Sequence, residues 1–132
     1  MRGITLRRLL DRINDRHLWD HNEAFYPWIL NHLPEKRRFA IDVGCGRGEL
    51  LMLLGQHFPQ VIGVEIDPAM ILASQQRCAG YSHVKVTGSL ENCAPQSDLI
   101  TMVASLHHME IEETLEHVVD KLAPGGNSFV WD

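Results

Sequence analysis

Apolar positions recur along the chain with two different periods. Leu6, Leu9, Leu10 and Ile13 fall at i, i+3, i+4 and i+7, one stripe of an amphipathic helix, with Arg8, Arg12 and Arg16 on another face. Asn22 is a suitable N-cap for a second helix, which holds Phe25, Trp28, Ile29 and Leu33 and stops at Pro34. After the charged connector Glu35-Lys36-Arg37-Arg38 the apolar runs shorten. Residues 39–43 read as a buried strand running into glycines, 49–58 as a helix ended by Pro59, and 61–66 as a second strand. Asp67-Pro68 joins an N-cap to a proline at the first helical position, so the next helix runs to about Cys78, with Gly80 as its C-cap. Residues 83–86 and 99–104 give a third and a fourth strand. Ile111, Leu115, Val118, Val119 and Leu122 mark a further helix, and Glu110, Glu112 and Glu113 crowd its first turn, where the helix dipole favours negative charge. Pro124-Gly125-Gly126 reads as a turn, and 128–131 opens a fifth strand.

Strands alternating with helices predict an α/β fold, doubly wound, with a mainly parallel sheet and right-handed crossovers. In such sheets ligands sit outside the carboxyl ends of the strands, close to where the strand order reverses. The residues just after each strand are therefore the ones to examine.

At 132 residues, with 45% hydrophobic and 22% charged positions, the composition is that of one globular domain. No apolar run approaches the roughly 20 residues of a membrane span, so no membrane partner is expected. The charge is uneven. Residues 1–38 hold eight Lys/Arg against five Asp/Glu, and residues 39–132 hold four against twelve. An acidic body lacks the phosphate-neutralising surface that nucleic-acid binding needs. Asp11, Asp15 and Asp20 interrupt the basic start, which reads as a solvated helix face rather than a transit peptide. Cys45, Cys78 and Cys93 match no metal-ligand spacing, and free thiols point to a reducing, cytoplasmic location.

The first strand ends in Gly44-Cys45-Gly46-Arg47-Gly48, which leads straight into a helix. Glycine permits backbone angles that other residues resist and lets a ligand approach the chain. The N–H groups opening the next helix are expected to offer a polar-group site. Glu65 follows the second strand, 21 residues after Gly44, where nucleotide-binding sheets place their ribose-hydroxyl acceptor. The dinucleotide fingerprint needs a small residue at position 49, which is Glu, and the phosphate-cradling loop motif is absent. A glutamate beside a pyrophosphate is electrostatically unfavourable, whereas a phosphate-free ligand with a positive sulfonium suits acidic surroundings.

These residues resemble a known family. IDVGCGRGELL is similar to the first motif of class I S-adenosylmethionine-dependent methyltransferases, VIGVEIDPAMI to their second, SDLITMVASLHHM to their fourth-strand motif and LAPGG to the turn before their fifth strand. The resemblance spans residues 40–131 and implies a Rossmann-like sheet with helices on both faces, five strands being present of an expected seven. It implies S-adenosyl-L-methionine as cofactor. Asp42, Gly44, Cys45, Gly46 and Gly48 would lie against its methionine part, and Glu65 would accept both ribose hydroxyls. Ile66 and Met70 would pack on the adenine face with Asp67 nearby, Ser89 and Leu90 would meet the adenine edge, and the Ala104 carbonyl would face the amino group. An aspartate is commoner than Ser89 at its position. Neither the proline-rich motif of nucleic-acid amino-methyltransferases nor the Pro-Cys pair of cytosine-ring enzymes stands in Ala104-Ser105-Leu106-His107-His108, so a small-molecule acceptor is expected. A noncatalytic S-adenosylmethionine-binding or interaction module is the alternative, and the glycine spacing disfavours a nucleotide-dependent oxidoreductase.

Two regions remain. His107 and His108 follow the fourth strand, and His108 is the candidate general base, since an unperturbed histidine titrates near neutral pH. Its bland counterpart is a residue that ends a strand and packs under the cofactor. His17 and His21 share a helix spacing but lack the glutamate of the zinc-protease motif, and no metal is expected. Residues 1–38 form an N-terminal helical segment in which His21 and Tyr26 are candidates for a lid, while Phe25 and Trp28 are expected to pack on the sheet. Residues 39–132 form the cofactor-binding domain, expected to be incomplete at its C-terminus. Its fifth strand would then present an open edge that a partner chain could cover.

Overall fold

A computed structural model of the chain describes residues 21–93, 96–103 and 111–131. Helix α1 (His21–Asn31) is followed by β1 (Ala40–Val43), α2 (Glu49–Leu54), β2 (Val61–Val64) and α3 (Pro68–Arg77). Then come β3 (Val84–Thr87), a single 3-10 turn (Leu90–Asn92), β4 (Ser97–Val103), α4 (Ile111–Lys121) and β5 (Leu122–Trp131). The amphipathic stripe at Leu6–Ile13, the histidines at 17, 107 and 108, and Ala104 lie outside the described residues.

The five strands pair in the order β3-β2-β1-β4-β5, and every pairing is parallel. The chain thus winds outward from β1 to β3, then returns to the other side of β1 with β4. The reversal point lies between the carboxyl ends of β1 and β4, the place where such sheets open a crevice.

Alternation along the central strands sorts the core into two layers. Ala40, Val61, Leu99 and Phe129 point to one face, where Phe25 and Ile29 of α1 and Leu50, Leu51 and Leu54 of α2 cover them. Ile41, Val43, Val64, Ile100 and Met102 point to the other, beneath Val118 of α4. All four side chains of β1 and all seven of β4 are buried, as expected of strands covered on both faces. Trp28 meets the ring of Phe129 edge-on at 5.3 Å, so α1 reaches as far as the marginal strand β5.

The local signals explain most element ends. Asp67 accepts from the amide of Ala69 at 2.9 Å and Pro68 follows it, which starts α3 where capping chemistry places it. Several boundaries differ from expectation: Asn22 lies inside α1 rather than capping it, α1 ends at Asn31 before Pro34, β2 ends at Val64 rather than at residue 66, and β4 begins at Ser97 rather than at residue 99. Helix α2 stops at Leu54, before a turn through Gly55 that brings Phe58 back into the core, rather than running on to Pro59. The expected Pro124-Gly125-Gly126 turn is absorbed into β5 as an irregularity: Ser97 pairs with Leu122 and Leu99 with Asn127, with Gly125 at φ 77° between them. Val119, placed on the apolar stripe of α4, is exposed.

One ion pair fixes the segment before β1. Arg38 donates from Nε and Nη2 to the two carboxylate oxygens of Asp98 at 3.0 and 2.7 Å, and its backbone amide adds a third bond at 3.0 Å. The guanidinium holds the buried Asp98 carboxyl below its ordinary range. Among the described residues no helix is long and apolar enough to cross a membrane.

Candidate cofactor-binding site

The loop from Gly44 to Gly48 leaves β1 at the reversal point. Gly44, Gly46 and Gly48 have φ of 71°, 57° and 84°, the left-handed region that L side chains resist. This coil turns its amides towards β2. Gly44 and Cys45 donate to the carbonyl of Val64 at 2.7 and 3.0 Å, and Gly46 donates to Oε1 of Glu65 at 2.9 Å. Oε2 of Glu65 accepts from the amides of Ile66 and Asp67 at 2.9 and 3.0 Å. The amides of Gly44–Gly46 are therefore taken up by the end of β2, and α2 has only six residues. The polar-group site expected at that helix start is replaced by a carboxylate-stapled loop.

Close packing at two glycines and one hydrogen bond set the loop's position. A Cβ on Gly63 would stand 2.7 Å from a Leu51 methyl and 2.8 Å from Sγ of Cys45, so β2 needs glycine where the loop crosses it. A Cβ on Gly48 would meet Ser74 of α3 at 3.0 Å. A Cβ on Gly46, by contrast, would meet nothing within 4 Å. Nε of Arg77 adds a bond to the carbonyl of Arg47 at 2.9 Å.

The loop borders a cavity of about 320 Å³. Asp42, Gly44, Cys45 and Gly46 line it together with Met70 of α3, Val103 of β4 and Tyr26 of α1. Arg47, Glu49 and Leu50 complete the wall. Burial raises the Asp42 carboxyl to about 7, the hydrogen bond from Thr101 works against that, and the charge of Glu65 adds to it. Burial also pushes the Cys45 thiol up, with the Asp42 charge contributing, so Cys45 is a neutral packing residue here rather than a thiolate nucleophile.

Of the residues singled out from the sequence, Asp42, Gly44, Cys45, Gly46 and Met70 meet at one cavity, and Glu65 joins them through its bond to Gly46. Ile66 lies just beyond, 66% exposed, an apolar side chain next to the carboxylate. Gly48 faces Ser74, Asp67 caps α3, and Ser89 caps the 3-10 turn by accepting from Glu91 at 3.2 Å. Leu90 is buried with Val43 and Val64 under the sheet. Ala104 and His108 are outside the described residues. Thr101 and Ser74 were not singled out. The one visible signal for Thr101 is a hydroxyl inside the otherwise apolar run Leu99-Ile100-Thr101-Met102-Val103. Among the described residues no group of three or more His, Cys, Asp or Glu could hold a metal ion.

Known proteins share both the sequence pattern and the fold. Residues 41–128 match the family described as "Methyltransferase domain". Trans-aconitate 2-methyltransferase of Mycobacterium tuberculosis is 31% identical over 109 residues, 79% of this chain and 40% of its own length. The chain spans about two fifths of the length of the curated relatives it matches. N-methyltransferase NodS of Bradyrhizobium japonicum superposes with a TM-score of 0.72 at 22% identity, over 88% of this chain and 69% of that one. Phosphoethanolamine N-methyltransferase 1 of Haemonchus contortus, solved with phosphoethanolamine and S-adenosylhomocysteine, superposes with a TM-score of 0.72 at 16% identity, over 98% of this chain and 33% of that one.

Proposed function

This chain belongs to the methyltransferase-domain family, and from that premise we propose that it binds S-adenosyl-L-methionine at the β1–β4 reversal and serves in methyl transfer to a small-molecule acceptor. The observation that supports this best is the meeting of the glycine loop and Asp42 at one cavity, with Glu65 bonded to the loop at Gly46. The open space at Gly46, where a Cβ would meet no protein atom, fits a ligand lying against the backbone. Among the described residues, Asp42 and Glu49 line the cavity against the single cation Arg47, with Glu65 bonded to Gly46, a balance that suits a cationic ligand better than a pyrophosphate.

When bound, the cofactor would supply a methyl group on a sulfonium, a leaving group already in place. The chain's own part is alignment and exclusion of water, the conditions of an in-line displacement. Glu65 would hold the ribose hydroxyls, the carbonyl groups of the Gly44–Gly46 loop, whose amides are already bonded, would meet the methionine part, and Ile66 and Met70 would pack on the adenine face. Ser89, whose hydroxyl accepts from the Glu91 amide and keeps its own proton to donate, and the backbone of the buried Leu90 would serve the adenine edge. Tyr26 supports a lid role for the N-terminal segment because it reaches the cavity from α1. His108 would act as base only for an acceptor that must lose a proton. The acidic body and the named substrates of the relatives, trans-aconitate and phosphoethanolamine, favour a small-molecule acceptor. Three unpaired thiols fit a reducing, cytoplasmic setting.

Isothermal titration with S-adenosylmethionine, S-adenosylhomocysteine and NAD tests the reading. Binding of the first two is expected, and binding of NAD alone would overturn it. Binding of S-adenosylhomocysteine with no methyl transfer to any acceptor would favour a binding module.

A further inference from the structure

Asp42 and Thr101 stand opposite each other across β1 and β4, at the carboxyl-end half of both strands. Both are buried, and Oγ1 of Thr101 donates to Oδ1 of Asp42 at 2.8 Å. The same hydroxyl lies 3.5 Å from the carbonyl of Ile41, but its single proton serves the shorter contact. Asp42 borders the cavity and Thr101 does not, so the hydroxyl acts on the cavity through the carboxylate. An ionised carboxylate only accepts, so a hydroxyl donating to it favours the charged form and fixes which way the second oxygen points.

Other groups bear on the same carboxyl from each described element around it. Burial raises its proton affinity, and the charge of Glu65 after β2 raises it further. Cys45 in the loop is held neutral by its own burial. Arg47 and Glu49 at the start of α2, and Tyr26 from α1, line the same cavity. Among the influences resolved for Asp42, the Thr101 hydrogen bond is the one that works for ionisation.

We propose that Thr101 is a positioning residue for the cavity: its hydroxyl orients the Asp42 carboxylate and favours its ionised form, so that the site selects a ligand bearing a cationic group. The inference rests on the cofactor reading above, in which the ligand brings a sulfonium and an ammonium. It assigns the electrostatic selectivity of the site to a strand residue that never touches the ligand.

The test follows the Asp42 carboxyl by carbon-13 NMR in the protein without added ligand, assigned by comparison with Asp42→Asn, in the wild type and in Thr101→Val and Thr101→Ser. Calorimetry then measures affinity for S-adenosylmethionine and S-adenosylhomocysteine against pH. Thr101→Val is expected to move the carboxyl midpoint up by about one to two pH units, about ten- to a hundredfold in proton affinity. The pH at which cofactor affinity is half lost moves up with it, and Thr101→Ser restores both. A purely structural hydroxyl would alter stability and leave both midpoints in place, and that result overturns the proposal. If Thr101→Val does not fold, Thr101→Cys, with a weak donor of similar size, is read in the same way. If neither ligand binds the wild-type chain, the cofactor reading fails, and the NMR titration alone decides whether Thr101 sets the charge of Asp42.

Discussion

The amide of Gly46 donates to Oε1 of Glu65 at 2.9 Å, tying the loop after the first strand to the residue that ends the second. The carboxylate thereby does two things. It holds the glycine loop against the strand ends, and it stands beside the cavity where a ribose acceptor is expected. Glu65→Ala is expected to weaken S-adenosylhomocysteine binding by about 1.5–3 kcal/mol, the range for hydrogen bonds to a charged group. Glu65→Gln keeps one oxygen acceptor and should lose less. Calorimetry on both variants checks the order, and equal affinity in all three proteins would remove Glu65 from the site.

Gly46 and Gly48 share a left-handed backbone but differ in what surrounds them. Gly46→Ala meets no protein atom, so its cost is backbone strain alone, about 1–2 kcal/mol. Gly48→Ala adds a 3.0 Å contact with Ser74 on top of the same strain and should be the less stable of the two. Ligand binding should rank them the other way, with Gly46→Ala losing affinity beyond what its stability explains. Thermal melts and titrations of the pair separate a glycine required by the fold from one required by a ligand.

Asp42 provides a pH signature. Its carboxyl is raised from 3.8 to about 7, first by burial, so between those values the folded chain binds more protons than the unfolded one. Stability from this group therefore falls as pH rises through that window. Asp42→Asn removes the dependence. The variant should match the wild type below about pH 4 and gain on it up to about pH 7, by a few kcal/mol at the plateau. Denaturant titrations at several pH values check this, and parallel curves would show that Asp42 does not titrate in that window.

The Arg38–Asp98 pair acts with the opposite sign. The Asp98 carboxyl is lowered, first by its hydrogen bonds from the Arg38 side chain, so its contribution to stability is present above 3.8 and lost as pH falls below it. Arg38→Met should leave a buried carboxylate unpaired, lower the melting temperature at neutral pH, and move acid unfolding to higher pH. Circular dichroism melts across the acid range report both effects.

Neighbouring residues on α1 should separate packing from binding. Phe25 is 1% exposed in the core, and Phe25→Ala is expected to cost about 3–5 kcal/mol of stability. Tyr26 borders the cavity, and Tyr26→Ala should reduce cofactor affinity by more than it reduces stability. Unchanged affinity in Tyr26→Ala would exclude α1 as a lid.

Elements and site were legible in the sequence to different degrees. Apolar runs such as Val61-Ile62-Gly63-Val64 mark central strands because burial on both faces leaves little room for polar residues, and Asp42 within β1 stands out against that rule. Asp67-Pro68 marks a helix start because capping is local chemistry. The glycine loop and Glu65 are legible as a spacing, since the crossover between adjacent parallel strands has a nearly fixed length. Thr101 and Ser74 act through partners 59 residues away in the case of Asp42, and across a helix packing in the case of Gly48. Cross-strand register and helix docking produce those contacts, and no one-dimensional period encodes them. The end of α2 and the course of β5 were misplaced for a related reason. A proline or glycine shows where regular hydrogen bonding can break, not whether the surrounding sheet will carry the chain past the break.

That irregular stretch of β5 separates two mechanical regimes in the sheet. While β4 advances two residues, from Ser97 to Leu99, β5 advances five, from Leu122 to Asn127, after which the pairing runs in step to Val103 and Trp131. The slack is confined to the end of the sheet remote from the glycine loop, and works as an expansion joint. Added residues at the exposed Pro124–Gly125 step can bulge there without shifting the in-step register of β5 on β4, whereas Ala123 and Gly126 on either side are closely packed.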